Sequence, residues 1–383
     1  MMQSDIYQTT IEQAPMVTII LPVYKVEQYV SKAIESILAQ RKPDGSPYTD
    51  WEMIAVDDGS PDNSGTICEQ YAAADSRQRI HVLHQDNAGA PAARNNALRY
   101  AKGKYLFFMD SDDWAEPDML FDMVWMAENN NAELVIAGFF IDTYTKVVMK
   151  KQTIDDHKSR YMTTDYIPAP AVYETKEAFR QQAYALFDRN MLYQPWNKLY
   201  LRSYLEEQRL EFPQTYRDDF PFVLSYIRDV ERVVVTDRQY YHFLRARTDS
   251  ETQKYVPQLY EKREEEHGWM EEIYHYWGLE DQQEAREMIG RRYIDRLIEC
   301  CENLTNPRCD LKPAEKELAI RAMLHNPRVK SALKAARPHR LYSKLMYLPI
   351  RLQSTTLTML EAKTITFVRT HSTGLFTRLK AGR

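Results

Sequence analysis

Three carboxylates close an apolar run in Tyr105-Leu-Phe-Phe-Met-Asp110-Ser-Asp112-Asp113-Trp114. Acids at the exit of a buried strand need a compensating cation, because uncompensated buried charge is expensive. Hard oxygen donors there suit Mg²⁺ or Mn²⁺ carrying a phosphate. In an open α/β sheet the same strand end is where ligands bind. A second strand, Trp51–Val56, runs into Asp57-Asp58-Gly59-Ser60. Either acidic turn alone reads as solvated turn chemistry. Together in one βαβ array they point to a nucleoside-diphosphate site, with one acid on base or ribose and another on the metal. Asp218 and Asp219 form a third pair ahead of Phe220–Ile227. Acids there suit a helix N-terminus, where negative charge is favoured.

The elements that must hold these acids alternate. Val17–Val23 reads as a strand, and Val26, Tyr29, Val30, Ala33, Ile34, Ile37 and Leu38 follow helical spacing. Strands at Arg79–Leu83 and Leu134–Ile141 and helices near Ala90–Ala101 and behind Pro117 continue the pattern. A βαβα order predicts a mostly parallel sheet covered by helices. Residues 151–171, polar with Pro168 and Pro170, read as a long loop or lid. Helices near Lys176–Phe187 and Ser203–Gln208 and a late strand at Arg232–Thr236 follow. Beyond Pro257 the chain reads as helical, with Trp269, Ile273, Trp277, Ile289, Tyr293, Leu297 and Leu304 buried.

In order and at matching spacing, several motifs resemble the family 2 glycosyltransferases, whose fold is the nucleotide-sugar-binding GT-A fold. They are Val17-Thr-Ile-Ile-Leu-Pro-Val-Tyr24, Val56-Asp-Asp-Gly-Ser60 with Asp62-Asn63-Ser64, Gln85-Asp-Asn-Ala-Gly89, Ala93-Arg-Asn95 and Ala101-Lys-Gly-Lys-Tyr105 before the acidic run. Pro195-Trp-Asn-Lys-Leu-Tyr200 and Phe212-Pro213 through Asp218-Asp219 resemble the acceptor-side half. The resemblance spans roughly residues 15–250, leaving an extension at 1–14 and a helical region with a basic tail at 251–383. Lys25 stands for the usual Asn and Ala97 for a common Gly. Asp218-Asp219 replaces Glu-Asp, which loosens the assignment of the base.

The resemblance implies an inverting, divalent-metal-dependent transferase. It would move a hexose or N-acetylhexosamine from a UDP-sugar to a glycan or lipid-linked acceptor in surface or exopolysaccharide synthesis. Pro22, Tyr24 and Glu27 would line the nucleobase and ribose pocket, and Asp57 or Asp58 would accept a hydrogen bond from uracil. Arg94 would lie near the donor and Asp110 on ribose or metal. Asp112 would bind Mn²⁺ or Mg²⁺. Asp219, with Asp218 as its rival, would be the base, and Trp196, with Asn197 and Lys198 nearby, would shape the acceptor or donor-sugar pocket, a core tryptophan being the plain alternative. Such an ion supplies Lewis-acid stabilisation to the departing diphosphate, and a positioned carboxylate is worth about 10²–10⁴-fold. His242, Arg245 and Arg247 could approach the diphosphate, or be plain structural and surface residues. One rival is a sugar nucleotidyltransferase, which would carry a Gly-rich basic loop after the first strand. Tyr24–Glu27 has no glycine. The other is a catalytically silent glycan-binding or membrane-scaffold protein.

Cys68, Cys300, Cys301 and Cys309 show no metal or disulfide spacing, so a reducing cytoplasm is expected. No signal peptide is expected from residues 1–15, and no apolar run approaches the about 20 residues of a spanning helix. The net charge of −5 divides unevenly: from Asn326 onward 12 Lys/Arg face the single acid Glu361, a charge of +11 against −16 for the preceding chain. Leu341, Tyr342, Leu345, Met346 and Leu348 recur at helical spacing beside Arg340, Lys344 and Arg351, and Pro349 interrupts them. A basic amphipathic tail of this kind can lie on anionic lipid at the inner membrane face, dock on the acidic body or form an oligomer contact. No nucleic-acid module accompanies the charge.

Overall fold

The computed structural model describes residues 14–144, 161–215, 217–245, 255–338 and 346–371. At its centre is a ten-stranded mixed sheet. Strands β1 (Val17–Val23), β2 (Trp51–Asp57) and β4 (Tyr105–Phe108) are buried throughout, apart from half-buried Pro22. Such continuous burial belongs to parallel strands covered on both faces. With β3 (Ile80–His84) they pair in parallel in the order β3-β2-β1-β4. Helices α1 (Val30–Leu38), α2 (Ser64–Ala74) and α3 (Ala90–Leu98) make the crossovers. The chain direction of strand addition reverses between β1 and β4, and that reversal opens a crevice at their carboxyl ends.

After β4 come β5 (Trp114–Ala115), α4 (Met119–Asn130), β6 (Leu134–Tyr144), β7 (Tyr161–Tyr166), β8 (Ala171–Tyr173) and α5 (Lys176–Asp188). Then follow β9 (Lys198–Leu201), α6 (Arg202–Glu207), α7 (Asp219–Ile227) and β10 (Val233–Arg245). Strand β9 runs antiparallel between β4 and β6. β10 lies parallel to β6 and antiparallel to β5 and β8. Register shifts between Val235 and Tyr241 re-aim its second half toward the exit of β4. The late strand is therefore much longer than its apolar stretch suggested. The expected lid is partly sheet: β7 pairs with β6 and β8 with β10, while residues 151–160 lie outside the described residues.

Helices α8 (Leu259–Tyr276), α9 (Gln283–Leu304), α10 (Pro313–Leu324), α11 (Pro327–Ala335), α12 (Leu348–Arg351) and α13 (Thr355–His371) complete the chain. Met270, Ile273, Tyr274, Ala285 and Met288 join the core of the sheet. Farther along α9, Ile294, Leu297, Ile298 and Cys301 enter a second core with Ile320, Leu324, Val329, Ile350, Ala362 and Ile365. Gly290 lets α9 and α11 touch: a Cβ there would stand 2.9 Å from the Ala332 carbonyl. All four cysteines are buried and free. No helix among the described residues is long and apolar enough to cross a membrane.

Candidate active site

Acids from distant parts of the chain converge on one arginine. Arg94, on α3, is 4% exposed. Its Nη1 donates to Asp218 Oδ2 at 2.8 Å and Asp219 Oδ1 at 2.9 Å, and its Nη2 donates to Asp110 Oδ1 at 2.9 Å. Three carboxylates share one guanidinium, so negative charge remains beside the crevice when all are ionised. Asp110 and Asp219 keep 28% and 32% of their side-chain surface open. Burial pushes the Asp219 carboxyl up to about 7; Arg94 opposes the rise, and Asp218 and Asp110 reinforce it. Burial likewise raises Asp218, against the pull of Arg94. Arg94 itself is held protonated more firmly than usual, because its acids outweigh the effect of burial.

The three acids after β4 divide by environment. Asp113 is 1% exposed and accepts the Tyr241 hydroxyl and the Leu244 amide, each at 2.8 Å. The same hydroxyl accepts the Asp110 amide at 3.0 Å, so Tyr241 fastens the exit of β4 to β10. Burial, with Asp112 and Asp110 beside it, raises the Asp113 carboxyl well above its ordinary range. Asp113 is therefore a strut. Asp112 is half-buried next to it. No cluster of three or more His, Cys, Asp or Glu side chains among the described residues could enclose a metal. Asp110 and Asp112 fit a different arrangement, in which Mg²⁺ or Mn²⁺ takes one or two carboxylates and completes its shell with substrate phosphates and water.

The other acidic turn is wrapped by its neighbours. Asp58 Oδ1 accepts Gln85 Nε2 and the Ala88 amide at 2.8 Å, and its Oδ2 accepts the Gly89 amide at 2.8 Å and Asn87 Nδ2 at 3.2 Å. Gly89, at φ +88°, turns the chain directly into α3 and so toward Arg94. Asp57 accepts the Ser60 amide at 3.1 Å and lies 3.1 Å from His84 Nδ1. A Cβ at position 65 would stand 2.5 Å from Asp57 Oδ2, so only glycine lets α2 approach. Pro22 sits opposite Val56 on β1, and the Asp58 amide bonds Val23 O at 2.9 Å. Tyr24 is exposed at this rim. Glu27 accepts the Asn63 amide and Nδ2, both at 3.1 Å, joining the first two βα turns.

Trp196, Asn197 and Lys198 depart from expectation: all three lie in the core. Trp196 stacks on Tyr241 with 4.6 Å between centroids and meets Phe139 edge-on at 4.8 Å. Asn197 Nδ2 donates to Ala137 O at 2.9 Å. Lys198 Nζ donates to Gln194 O and Asn197 Oδ1 at 2.6 Å, and burial holds its pKa well below the usual lysine range, with the Asp219 charge opposing. Asn197 and Lys198 use polar atoms inside the protein and Trp196 keeps only 5% exposure, so the three belong to the packed interior near Asp219. His242 is likewise structural, stacked between Trp114 and Phe140 and bonded to Asp142 and Glu116 at 2.7 Å each. Arg245 is exposed on β10, and Arg247 lies outside the described residues. Sequence reasoning passed over Tyr241; the alternation of Tyr241 and Phe243 on β10, toward Trp196, was the one available signal.

A Rossmann-like sheet with acids gathered at its topological reversal defines the GT-A class of transferase. The chain belongs to glycosyltransferase family 2. The model described as "Glycosyl transferase family 2" matches residues 18–208. The uncharacterized glycosyltransferase EpsJ of Bacillus subtilis is 31% identical over 310 residues, 79% of this chain and 83% of EpsJ. The poly(ribitol-phosphate) beta-glucosyltransferase of Bacillus spizizenii is 26% identical over 280 residues, 71% of this chain and 38% of that protein. Among solved structures, S. aureus TarS 1–349 in complex with UDP-GlcNAc superposes with a TM-score of 0.54 at 17% identity, covering 93% of this chain and 92% of that one. At that identity the likeness concerns the fold.

Proposed function

We propose that this glycosyltransferase is an inverting, divalent-metal-dependent enzyme. It moves a hexose or N-acetylhexosamine from a UDP-sugar to a glycan or lipid-linked acceptor in surface or exopolysaccharide synthesis. A lipid-borne acceptor would bring it to the inner face of the cell membrane. The observation that carries this reading is the meeting of Asp110, Asp218 and Asp219 on buried Arg94. The TarS complex with UDP-GlcNAc and the polymer-directed name of the B. spizizenii relative support the donor and acceptor classes.

Pro22, Tyr24, Glu27 and the Asp57–Asp58 turn form the nucleoside end, beside the Arg94 cluster at the same sheet edge. Asp110 and Asp112 would hold Mn²⁺ or Mg²⁺, which when bound supplies Lewis-acid stabilisation of the diphosphate. Asp219 takes the proton of the acceptor hydroxyl, with a pKa of about 7 that suits the task near neutrality. Arg94 fixes the carboxylate in place while leaving about a third of the side chain open to the crevice. One base facing one leaving group describes a single displacement, so the anomeric centre inverts.

Asp219→Asn should retain UDP affinity within about twofold while transfer from UDP-sugars with Mn²⁺ falls by about 10²–10⁴-fold. Near-normal turnover by that variant moves the base elsewhere, Asp218 first. A panel of nucleotide sugars run with wild type identifies the donor.

A further inference from the structure

Three successive side chains of α3 reach three different parts of the site. Neighbours on a helix point about 100° apart, so Arg94, Asn95 and Asn96 take separate targets. Arg94 holds Asp110, Asp218 and Asp219. Asn95 exchanges two hydrogen bonds with the backbone of Phe212. Its Nδ2 donates to Phe212 O and its Oδ1 accepts the Phe212 amide, each at 2.8 Å. Asn96 Nδ2 donates to Gln85 Oε1 at 2.9 Å, and Gln85 Nε2 donates in turn to Asp58 Oδ1 at 2.8 Å.

Phe212 gives the Asn95 contact its reach. It is 2% exposed and lies flat on Phe222 of α7, with 3.8 Å between centroids and 11° between planes. It meets Phe108 of β4 edge-on at 5.0 Å, and the Arg94 guanidinium stands 5.0 Å from its ring. One ring therefore touches the strand that leads to Asp110, the helix that starts at Asp219 and the arginine that joins their acids. With both its backbone groups taken by Asn95, this ring cannot move against α3 without breaking two bonds at once. Asn96 serves the opposite end. Asp58 already accepts the Ala88 and Gly89 amides where the chain enters α3, and the Gln85 link fastens the same turn to the middle of the helix.

We propose that Asn95 and Asn96 are positioning residues with separate duties: Asn95 sets the base through Phe212, and Asn96 sets the nucleoside end through Gln85 and Asp58. The inference rests on the reading of Asp219 as base and of the Asp57–Asp58 turn as the nucleoside end. It adds that α3 is the common frame on which the two are aligned. Loss of Asn95 should therefore harm the chemical step, and loss of Asn96 the hold on the donor.

UDP affinity is measured calorimetrically with Mn²⁺. Turnover is followed as UDP release from whichever of UDP-glucose, UDP-galactose and their N-acetylhexosamine counterparts wild type uses fastest. Asn95→Ala should lower kcat at least tenfold while the Kd for UDP stays within twofold. Asn96→Ala should raise that Kd at least threefold and lower kcat less than Asn95→Ala does. Without Asn95 the hold of Arg94 on Asp219 loosens, and Arg94 is what restrains the rise of that carboxyl. The acid limb of the pH–rate profile should then move upward in Asn95→Ala and stay in place in Asn96→Ala. Phe212→Leu, which keeps both backbone bonds and removes the ring, is the second arm. It should reproduce the kcat loss at unchanged UDP affinity, with circular dichroism checking the fold of every variant. Near-wild-type kcat in both Asn95→Ala and Phe212→Leu overturns the proposal. So do equal losses of kcat and of UDP affinity in the two asparagine variants, which describe a general loosening. Near-normal turnover by Asp219→Asn overturns the base assignment itself and this inference with it, so the two failures are told apart.

Discussion

Asp219 is tuned by residues that never need to touch a substrate. Burial lifts its carboxyl, Arg94 restrains the lift, and the negative charges of Asp218 and Asp110 add to it. As the proposed base it must be ionised, so kcat/KM should rise as pH passes through about 7. Replacing Asp218 by Asn removes a like charge, which lets Asp219 ionise at lower pH. The acid limb of the pH–rate profile should then move downward, and the variant should keep more of its maximal kcat/KM at pH 6 than wild type does. An unmoved limb would show that the two acids titrate independently. Asp110 and Asp112 stood out in the chain because they end an apolar run, whereas Arg94 and the Asp218–Asp219 pair gained their weight from the family resemblance. For Trp196 the sequence left a sugar-pocket tryptophan and a core tryptophan both open, and Lys198 looks surface-seeking in a string. Only packing reveals that Gln194 O and Asn197 Oδ1 take the ammonium and that Tyr241 takes the indole face.

Strand β10 sets how well the acids of β4 are held. Its Tyr241 hydroxyl serves both the Asp110 amide and Asp113, across 131 and 128 residues of chain. Tyr241→Phe strands two buried polar partners, and such groups cost about 1–3 kcal/mol each. We expect a lower urea midpoint and a reduced transfer rate with Mn²⁺, because Asp110 loses its anchor. An unchanged midpoint would mean the hydroxyl holds nothing together. The parallel half of the sheet was readable because β1, β2 and β4 are apolar runs and α1 keeps helical spacing. β5 and β8, at two and three residues, are too short to show a period. β9 went unseen because its polar start resembled a loop, and β7 because its polar surroundings did. The second half of β10 was hidden by the Thr236–Gln239 interruption, where its register shifts.

Across the whole molecule, α8 and α9 contribute side chains to both cores, so these two helices tie the sheet to the second core. Their helical character was legible; the partner of each face was not, since Glu- and Arg-rich surfaces look alike until ion pairs such as Arg296–Glu266 form. Glu361 provides a test of this packing. Its carboxyl, raised to about 8, keeps its proton in the native state at pH values where the unfolded chain has already lost it. The native state binds more protons there, so stability must fall as pH climbs from about 4.5 toward 8. Glu361→Gln should raise the Tm by a few degrees at pH 8.5 and change it little at pH 4.5. Equal shifts at both values would place the side chain in open solvent. The interleaving of β9 also bears on dissection of the protein. A fragment ending at residue 208, where the family match stops, would contain the nucleoside-end turns yet lack Asp218, Asp219 and the tyrosine that steadies Asp110. One ending at Tyr144 would leave an open slot between β4 and β6, two raw ladders facing each other with nothing to pair. The proposed site is finished only when the last strand arrives, so severed halves should clump long before they catalyse.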